Sequence, residues 1–202
     1  MRSHSYLNTA KHIIDSYHGD MPFAPWLKQF FKAEKRYGST DRRQIGNLCY
    51  SYFRLGRAFQ QFSLEDRLLI ALFLCSTEPV FILKEQYPQR NEQAGLPLGE
   101  KLEIINGKNE VRSIFPFGSF LSDEIDEDAF CRSFLIQPDL FLRIRPGRKT
   151  IVKEQLHKAG ISFQYEADDC IRLSNQSKVD EVLRPDVDAV VQDLNSQKTL
   201  LT

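Results

Sequence analysis

No part of this 202-residue sequence is apolar for long. The longest run, Leu68 to Cys75, falls far short of the roughly 20 residues that a bilayer-spanning helix needs. No charged start followed by an apolar stretch and a small-residue cleavage site opens the chain. These absences point to a soluble cytoplasmic protein with no membrane partner. Cysteine is also scarce. Residues 49, 75, 131 and 170 have no Cys-x-x-Cys spacing, and Cys49 and Cys75 sit in strongly apolar segments, the usual setting of a reduced core thiol. The four histidines, at 4, 12, 18 and 157, include no pair at the i, i+4 spacing that places two rings on one metal. There is no Gly-x-Gly-x-x-Gly after a strand and no Gly-x-Ser-x-Gly elbow, and Gly147-Arg-Lys-Thr150 imitates the end of a phosphate loop without its upstream glycine. The expectation is therefore no catalytic residue, no metal and no cofactor site in this chain.

An excess of one charge is missing too, since 27 Lys and Arg balance 27 Asp and Glu. Along the chain the balance fails. Residues 1–62 hold ten basic and four acidic side chains, residues 63–142 seven and fourteen, and residues 143–202 ten and nine. With 42% hydrophobic residues, the chain is long enough for one ordinary core or two small ones.

The first 88 residues read as helices. Leu7, Ala10, Ile13, Ile14 and Tyr17 recur at helical spacing, as do Trp26, Leu27, Phe30 and Phe31. Pro22 and Pro25 stand at the entry of the second helix and Gly38 at its predicted end. Ser39, Thr40 and Asp41 offer capping oxygens to a third helix that should turn Ile45, Leu48, Cys49, Tyr52 and Phe53 inward. Ser63-Leu-Glu-Asp66 has the form of a helix start, predicting a fourth helix to Cys75. A shorter fifth, from Val80 to Gln86, should close at Pro88. Trp26, Phe30, Leu48, Tyr52 and Leu69 are the expected core.

Residues 89–136 read as a surface connection, richer in Gly, Asn and Pro, with helical stretches near Leu98 to Ile105 and within Ser122 to Phe134. The pattern changes after Pro138. Leu140, Leu142 and Ile144 alternate with Phe141, Arg143 and Arg145, which predicts a strand with one buried face. A helix follows over Arg148 to Ala159, stopped by Gly160. Strands at Ile161–Tyr165 and Cys170–Leu173, a helical turn from Lys178 to Leu183 and a strand from Val187 to Val191 complete the order of a ferredoxin-like sheet. The predicted fold is α+β, divided into 1–88, 89–136 and 137–202.

Two basic clusters remain. In the third helix Arg43, Asn47, Tyr50, Arg54 and Arg57 fall at steps of four and three, so they share one face. A guanidinium stripe holding an aromatic suits phosphates and an unstacked base. The same residues also fit a solvated face paired with the acidic middle of the chain. The second cluster is Arg143, Arg145, Arg148, Lys149, Lys153 and Lys158, with Glu154 among them; a charge-protected edge strand and an exposed helix fit it equally.

The run from Tyr37 to Gly56, with its Asp41-Arg42-Arg43 start and its Tyr50-x-x-x-Arg54, resembles the NusB-like helical domain of Sun/Fmu (RsmB-type) RNA cytosine-5 methyltransferases. Gln137-Pro-Asp-Leu-Phe-Leu-Arg-Ile-Arg145 resembles the strand that opens the family's small α/β region, with Arg145 where the family has Asn. Val190-Val-Gln-Asp-Leu-Asn-Ser-Gln197 resembles its entry into the cofactor domain, with Asn195 where the family has Ser. The resemblance implies an RNA-binding portion that positions structured rRNA or tRNA through Arg42, Arg43, Tyr50, Arg54, Arg57, Arg143, Arg145, Arg148, Lys149 and Lys153. It also implies that the S-adenosylmethionine loop and the catalytic cysteines lie in a methyltransferase domain beyond Thr202, so that this chain alone is inactive. The alternatives are a free-standing NusB-like antitermination factor and a protein-interaction module.

Overall fold

The computed structural model describes residues 2–175 and 177–199. It divides into two compact units, Met1–Ile136 and Gln137–Thr202, the first helical and the second built on a four-stranded antiparallel sheet, an α+β composition. The last three residues of the predicted domain 137–202 lie outside the described residues.

In the first unit, helices α1 (Arg2–Ser16), α2 (Phe23–Ala33), α3 (Ser39–Arg54) and α4 (Leu64–Cys75) carry the core. Helix α4 is its axis: every residue from Leu68 to Leu74 is buried, the mark of a helix surrounded by others. Its start is as predicted, the Ser63 hydroxyl oxygen accepting from the Asp66 N–H at 3.1 Å. Helix α3 is capped by Asp41, whose carboxylate accepts from the Gly38 N–H at 3.0 Å and from the Tyr6 hydroxyl at 2.6 Å. The Tyr6 bond, more than the Gly38 bond, holds the Asp41 carboxyl below its usual range.

Several expectations are corrected here. Helix α2 ends at Ala33, and Gly38 stands at the N-cap of α3 instead of closing α2. Helix α5 (Phe81–Gln86) ends where expected, but Pro88 also opens a further helix, α6 (Pro88–Glu92), because a first-turn proline has no helical N–H to lose. Residues 89–136 are no mere surface connection. With α7 (Leu98–Ile104), 3-10 turns over Lys108–Ile114 and Gly118–Phe120, and α8 (Glu127–Ser133), they bury Ala94, Leu102, Val111, Ile114, Cys131 and Leu135. Leu48 and Leu69 are buried as expected, whereas Trp26, Phe30 and Tyr52 are half-buried at the margin of the core and Phe53 is exposed.

Two features of this unit depend on contacts distant in sequence. Lys101 is only 2% exposed, and its ammonium donates to the carbonyls of Phe73, at 3.2 Å, and Ser76, where α4 ends. Those carbonyls form the negative end of the helix dipole, while burial pushes the Lys101 pKa down. Gly56, at φ 54°, leads the chain out of α3, and a Cβ there would lie 2.0 Å from the Ile114 carbonyl oxygen. No other residue fits that crossing.

The second unit follows the predicted element order. Strand β1 (Leu140–Ile144) is followed by α9 (Lys149–Lys158), β2 (Phe163–Tyr165), β3 (Cys170–Leu173), a 3-10 turn at Val179–Glu181, β4 (Ala189–Val191) and α10 (Leu194–Thr199). The strands lie in the order β2-β3-β1-β4, all neighbours antiparallel, with Leu142 opposite Ile171 and Arg143 opposite Cys170. Leu142, Ile144, Ile171 and Leu173 face α9's Val152 and Leu156, which places Phe141, Arg143, Cys170 and Arg172 on the other face of the sheet. No helix among the described residues is long and apolar enough to cross a membrane.

Candidate nucleic-acid interface

Helices α2 and α3 pack so that their outward sides form a shallow groove of about 430 Å³. Leu27 and Gly46 form its apolar floor, and Lys28, Arg42, Arg43, Asn47 and Tyr50 line it. The sequence stripe supplies Arg43, Asn47 and Tyr50, and the neighbouring helix adds Lys28. Arg42 is held in place by its Nε bond to the Tyr37 carbonyl at 2.9 Å and lies 5.9 Å from the Phe31 ring centre.

At one end of the groove the rings gather. Phe23 makes edge contacts with Tyr50 at 5.2 Å and Phe53 at 4.6 Å, and Tyr17 packs edge-on against Phe23, Trp26 and Phe53. Tyr50 and Phe53 nevertheless remain 42% and 39% exposed, so each offers ring surface to a ligand. Partial burial raises the Tyr50 pKa. Aromatic faces beside guanidinium and ammonium groups are the elements of a surface that binds unpaired nucleic acid.

The stripe stops sooner than its spacing predicts. Helix α3 ends at Arg54, and Arg57 lies in the following turn, 5.7 Å from the Phe117 ring centre. Arg54 is half-buried and close enough to Cys75 to oppose electrostatically the burial that drives that thiol up to about 11. Lys28 was missed because nothing local shows that α2 packs beside α3. Phe53 was misplaced because its spacing fits the edge of the apolar stripe as well as its centre.

The second cluster is not one surface. Arg143 is on the sheet face away from α9, whereas Lys149 and Lys153 line an open hollow of about 620 Å³ on α9 with Tyr165 and His157. Lys149 is paired with Asp168 and lies 5.1 Å from the Tyr165 ring centre. Arg145 and Arg148 turn toward the loop before β4, where the Arg145 Nε donates to the Asp186 carbonyl at 3.0 Å and the Arg148 Nε lies 3.9 Å from an Asp188 oxygen. Asp188 is fully buried and accepts from the Arg184 backbone N–H at 3.1 Å and from its guanidinium at 3.0 and 2.8 Å. The Arg184 bonds hold its carboxyl at about 2. Sequence reading missed Asp188, since an acid in a Pro- and Asp-containing loop carries no local sign of burial.

Among the described residues, no group of His, Cys, Asp and Glu is arranged to hold a metal ion. The chain matches no family model and no curated protein.

Proposed function

We propose that this chain is the RNA-binding portion of a cytoplasmic RNA cytosine-5 methyltransferase of the Sun/Fmu type. On this reading the first unit is its NusB-like domain and the second its ferredoxin-like region, together presenting structured rRNA or tRNA to a catalytic domain that carries S-adenosylmethionine. The observation that carries the RNA part is the α2–α3 groove, where Lys28, Arg42, Arg43 and Asn47 adjoin the half-exposed ring of Tyr50. The methyltransferase part rests on the sequence resemblance. The chain's own share is recognition: the cations hold phosphates, and Tyr50 stacks on an unpaired base. Cofactor and methyl transfer belong to the further domain, so calorimetry of the chain with S-adenosylmethionine should give no binding heat.

The test is a filter-binding titration of a structured RNA at several salt concentrations. Each phosphate contact removed, as in Arg42→Ala with Arg43→Ala, lowers the magnitude of the log–log salt slope by about 0.7 to 0.9. Tyr50→Ala weakens binding by about 1–3 kcal/mol with the slope unchanged. Equal affinity and slope in wild type and both variants overturn the reading.

One other observation favours a second reading, a protein-interaction module. Phe115, Phe117, Phe120, Phe130 and Phe134 form a continuous chain of rings, and Phe120 is 84% exposed, beside the acids Asp123 to Asp128. Under that reading Phe117→Ser with Phe120→Ser abolishes partner binding, and the groove variants leave it intact.

A further inference from the structure

The rings that end at Phe120 run outward from the helical core. Phe115 and Phe130 pack against that core, edge to face at 5.2 Å, while Phe117, Phe134 and Phe120 beyond them are exposed. Phe120 goes furthest, with 84% of its surface in water and its ring 6.5 Å from that of Phe117. The turn that carries it is well formed: the Phe117 carbonyl accepts from the Phe120 N–H and the Gly118 carbonyl from the Leu121 N–H, both at 2.9 Å. Single exposed rings are ordinary, but a contiguous set of them on a folded surface marks a place where something binds.

Acids surround these rings. Asp123, Glu124, Asp126, Glu127 and Asp128 follow Phe120 closely, with the exposed Ile125 among them. The Glu127 carboxylate lies against Gly118, in space that any Cβ there would take, so acid and rings adjoin in space as well as in sequence. Arg112 engages Glu127 at 3.8 Å and Asp128 at 2.8 Å, and Asp126 spends one oxygen on the Ala129 N–H at 3.1 Å. Asp123 and Glu124 are exposed and have no ion pair among the described residues. The Phe117 ring, for its part, already lies within cation range of Arg57. An apolar centre with unpaired acids at its rim attracts a partner whose apolar surface is flanked by Lys or Arg. It repels nucleic acid and the same face of a second copy.

The surface also narrows the partner's conformation. An extended segment needs a sheet edge, and the described residues of the first unit form no strand. A polyproline segment presents carbonyls that need donors, which Phe rings lack. A helix satisfies its own backbone and needs only apolar surface for its stripe. We infer that the face around Phe117 and Phe120 docks a basic amphipathic helix of another protein, its apolar stripe on the rings and its cations on Asp123 and Glu124. The inference rests on the protein-interaction reading of this face, supplies that reading with a partner, and makes no use of the α2–α3 groove.

The probe is a fluorescent synthetic helix of Leu and Lys at helical spacing, about 18 residues long so that it can form in water. Its counterpart has Glu in place of every Lys. In an anisotropy titration of the full chain, the Lys peptide should saturate and the Glu peptide should not bind. Phe120→Ser, at a ring in solvent, should leave the melting temperature unchanged and lower affinity for the Lys peptide about tenfold or more, as the loss of an anchoring ring does. Asp123→Asn with Glu124→Gln should lower it about two- to tenfold and flatten its salt dependence. Equal binding of both peptides, each weakened by Phe120→Ser, keeps the interaction face and overturns the basic partner. Peptide binding that is absent, or unmoved by Phe120→Ser, overturns both. Sedimentation of the wild type as a dimer that Phe120→Ser converts to monomer makes a second copy the occupant and overturns the inference. RNA retention lost with Arg42→Ala and Arg43→Ala bears on the groove alone.

Discussion

Two clusters of basic residues look alike in the sequence, yet the two units put them to different uses. In the helical unit a thick apolar core does the holding, so Lys28, Arg42 and Arg43 are left on the surface beside exposed rings. In the small unit the core cluster holds nine buried apolar side chains among the described residues, and ionic contacts supplement it. Arg184 and Arg148 surround Asp188, Arg145 grips the loop before β4, Lys149 pairs with Asp168, and Arg172 with Asp139 and Glu166. A basic residue in a small domain is therefore weaker evidence of a nucleic-acid surface than the same residue on a large one, because a small core leaves more of the fold to polar contacts.

The largest effect that separates the units is in their cores. Phe73→Ala, at a fully buried site, should destabilise the helical unit by about 3–5 kcal/mol. The change is readable from denaturant unfolding followed by the fluorescence of Trp26, the only tryptophan in the chain, while the amide signals of the sheet stay folded. Phe30→Ala, at the core margin, should cost clearly less. Equal costs would mean that the two sites are equally buried.

Asp188 makes the converse test. Its carboxyl titrates at about 2 in the folded protein against an ordinary 3.8, so the carboxylate is favoured by folding. The stability it contributes is fully present above pH of about 3.8 and is lost as the pH falls toward 2. Asp188→Asn should destabilise the small unit selectively and remove this acid-sensitive part of its unfolding, as followed by the sheet's amide signals between pH 5 and 2. The same acid dependence in the variant would assign it to another group.

A subtler contrast compares arginines with arginines. Arg145→Ala with Arg148→Ala should loosen the loop before β4, detected as faster hydrogen exchange at Asp188 and Ala189, and leave the salt slope of RNA binding unchanged. A slope reduced as much as by the α3 variants would show that the small unit's cations also meet phosphate.

The smallest effect concerns the thiols. Burial raises Cys49 to about 12 and Cys75 to about 11, and raises Cys131 and Cys170 as well. Native protein at pH 8 should therefore react slowly with a thiol reagent and quickly once unfolded. Replacing all four with Ala or Ser should leave RNA retention unchanged in a variant that folds.

Much of the fold was legible locally. Ser63 and Asp66 announced the start of α4, and the alternation of Leu140, Leu142 and Ile144 fixed which face of β1 is buried. The sequence order also contained every strand of the sheet. What local pattern did not show was the end of α3 before Arg57, because Gly56 leaves the helix to meet Ile114 far along the chain. Nor did it show that residues 89–136 fill a core, since Leu102 and Val111 stand among polar neighbours and find their partners on distant helices.

The candidate site divides in the same way. Helical periodicity by itself placed Arg43, Asn47 and Tyr50 on one face of α3, because that depends only on the 100° turn between residues. Only the tertiary structure set Lys28 beside them, placed Arg143 and Lys149 on opposite sides of a sheet, and buried Asp188 and Lys101. Those outcomes depend on which charges find a partner and which keep water, and that is decided by residues brought together from separate parts of the chain.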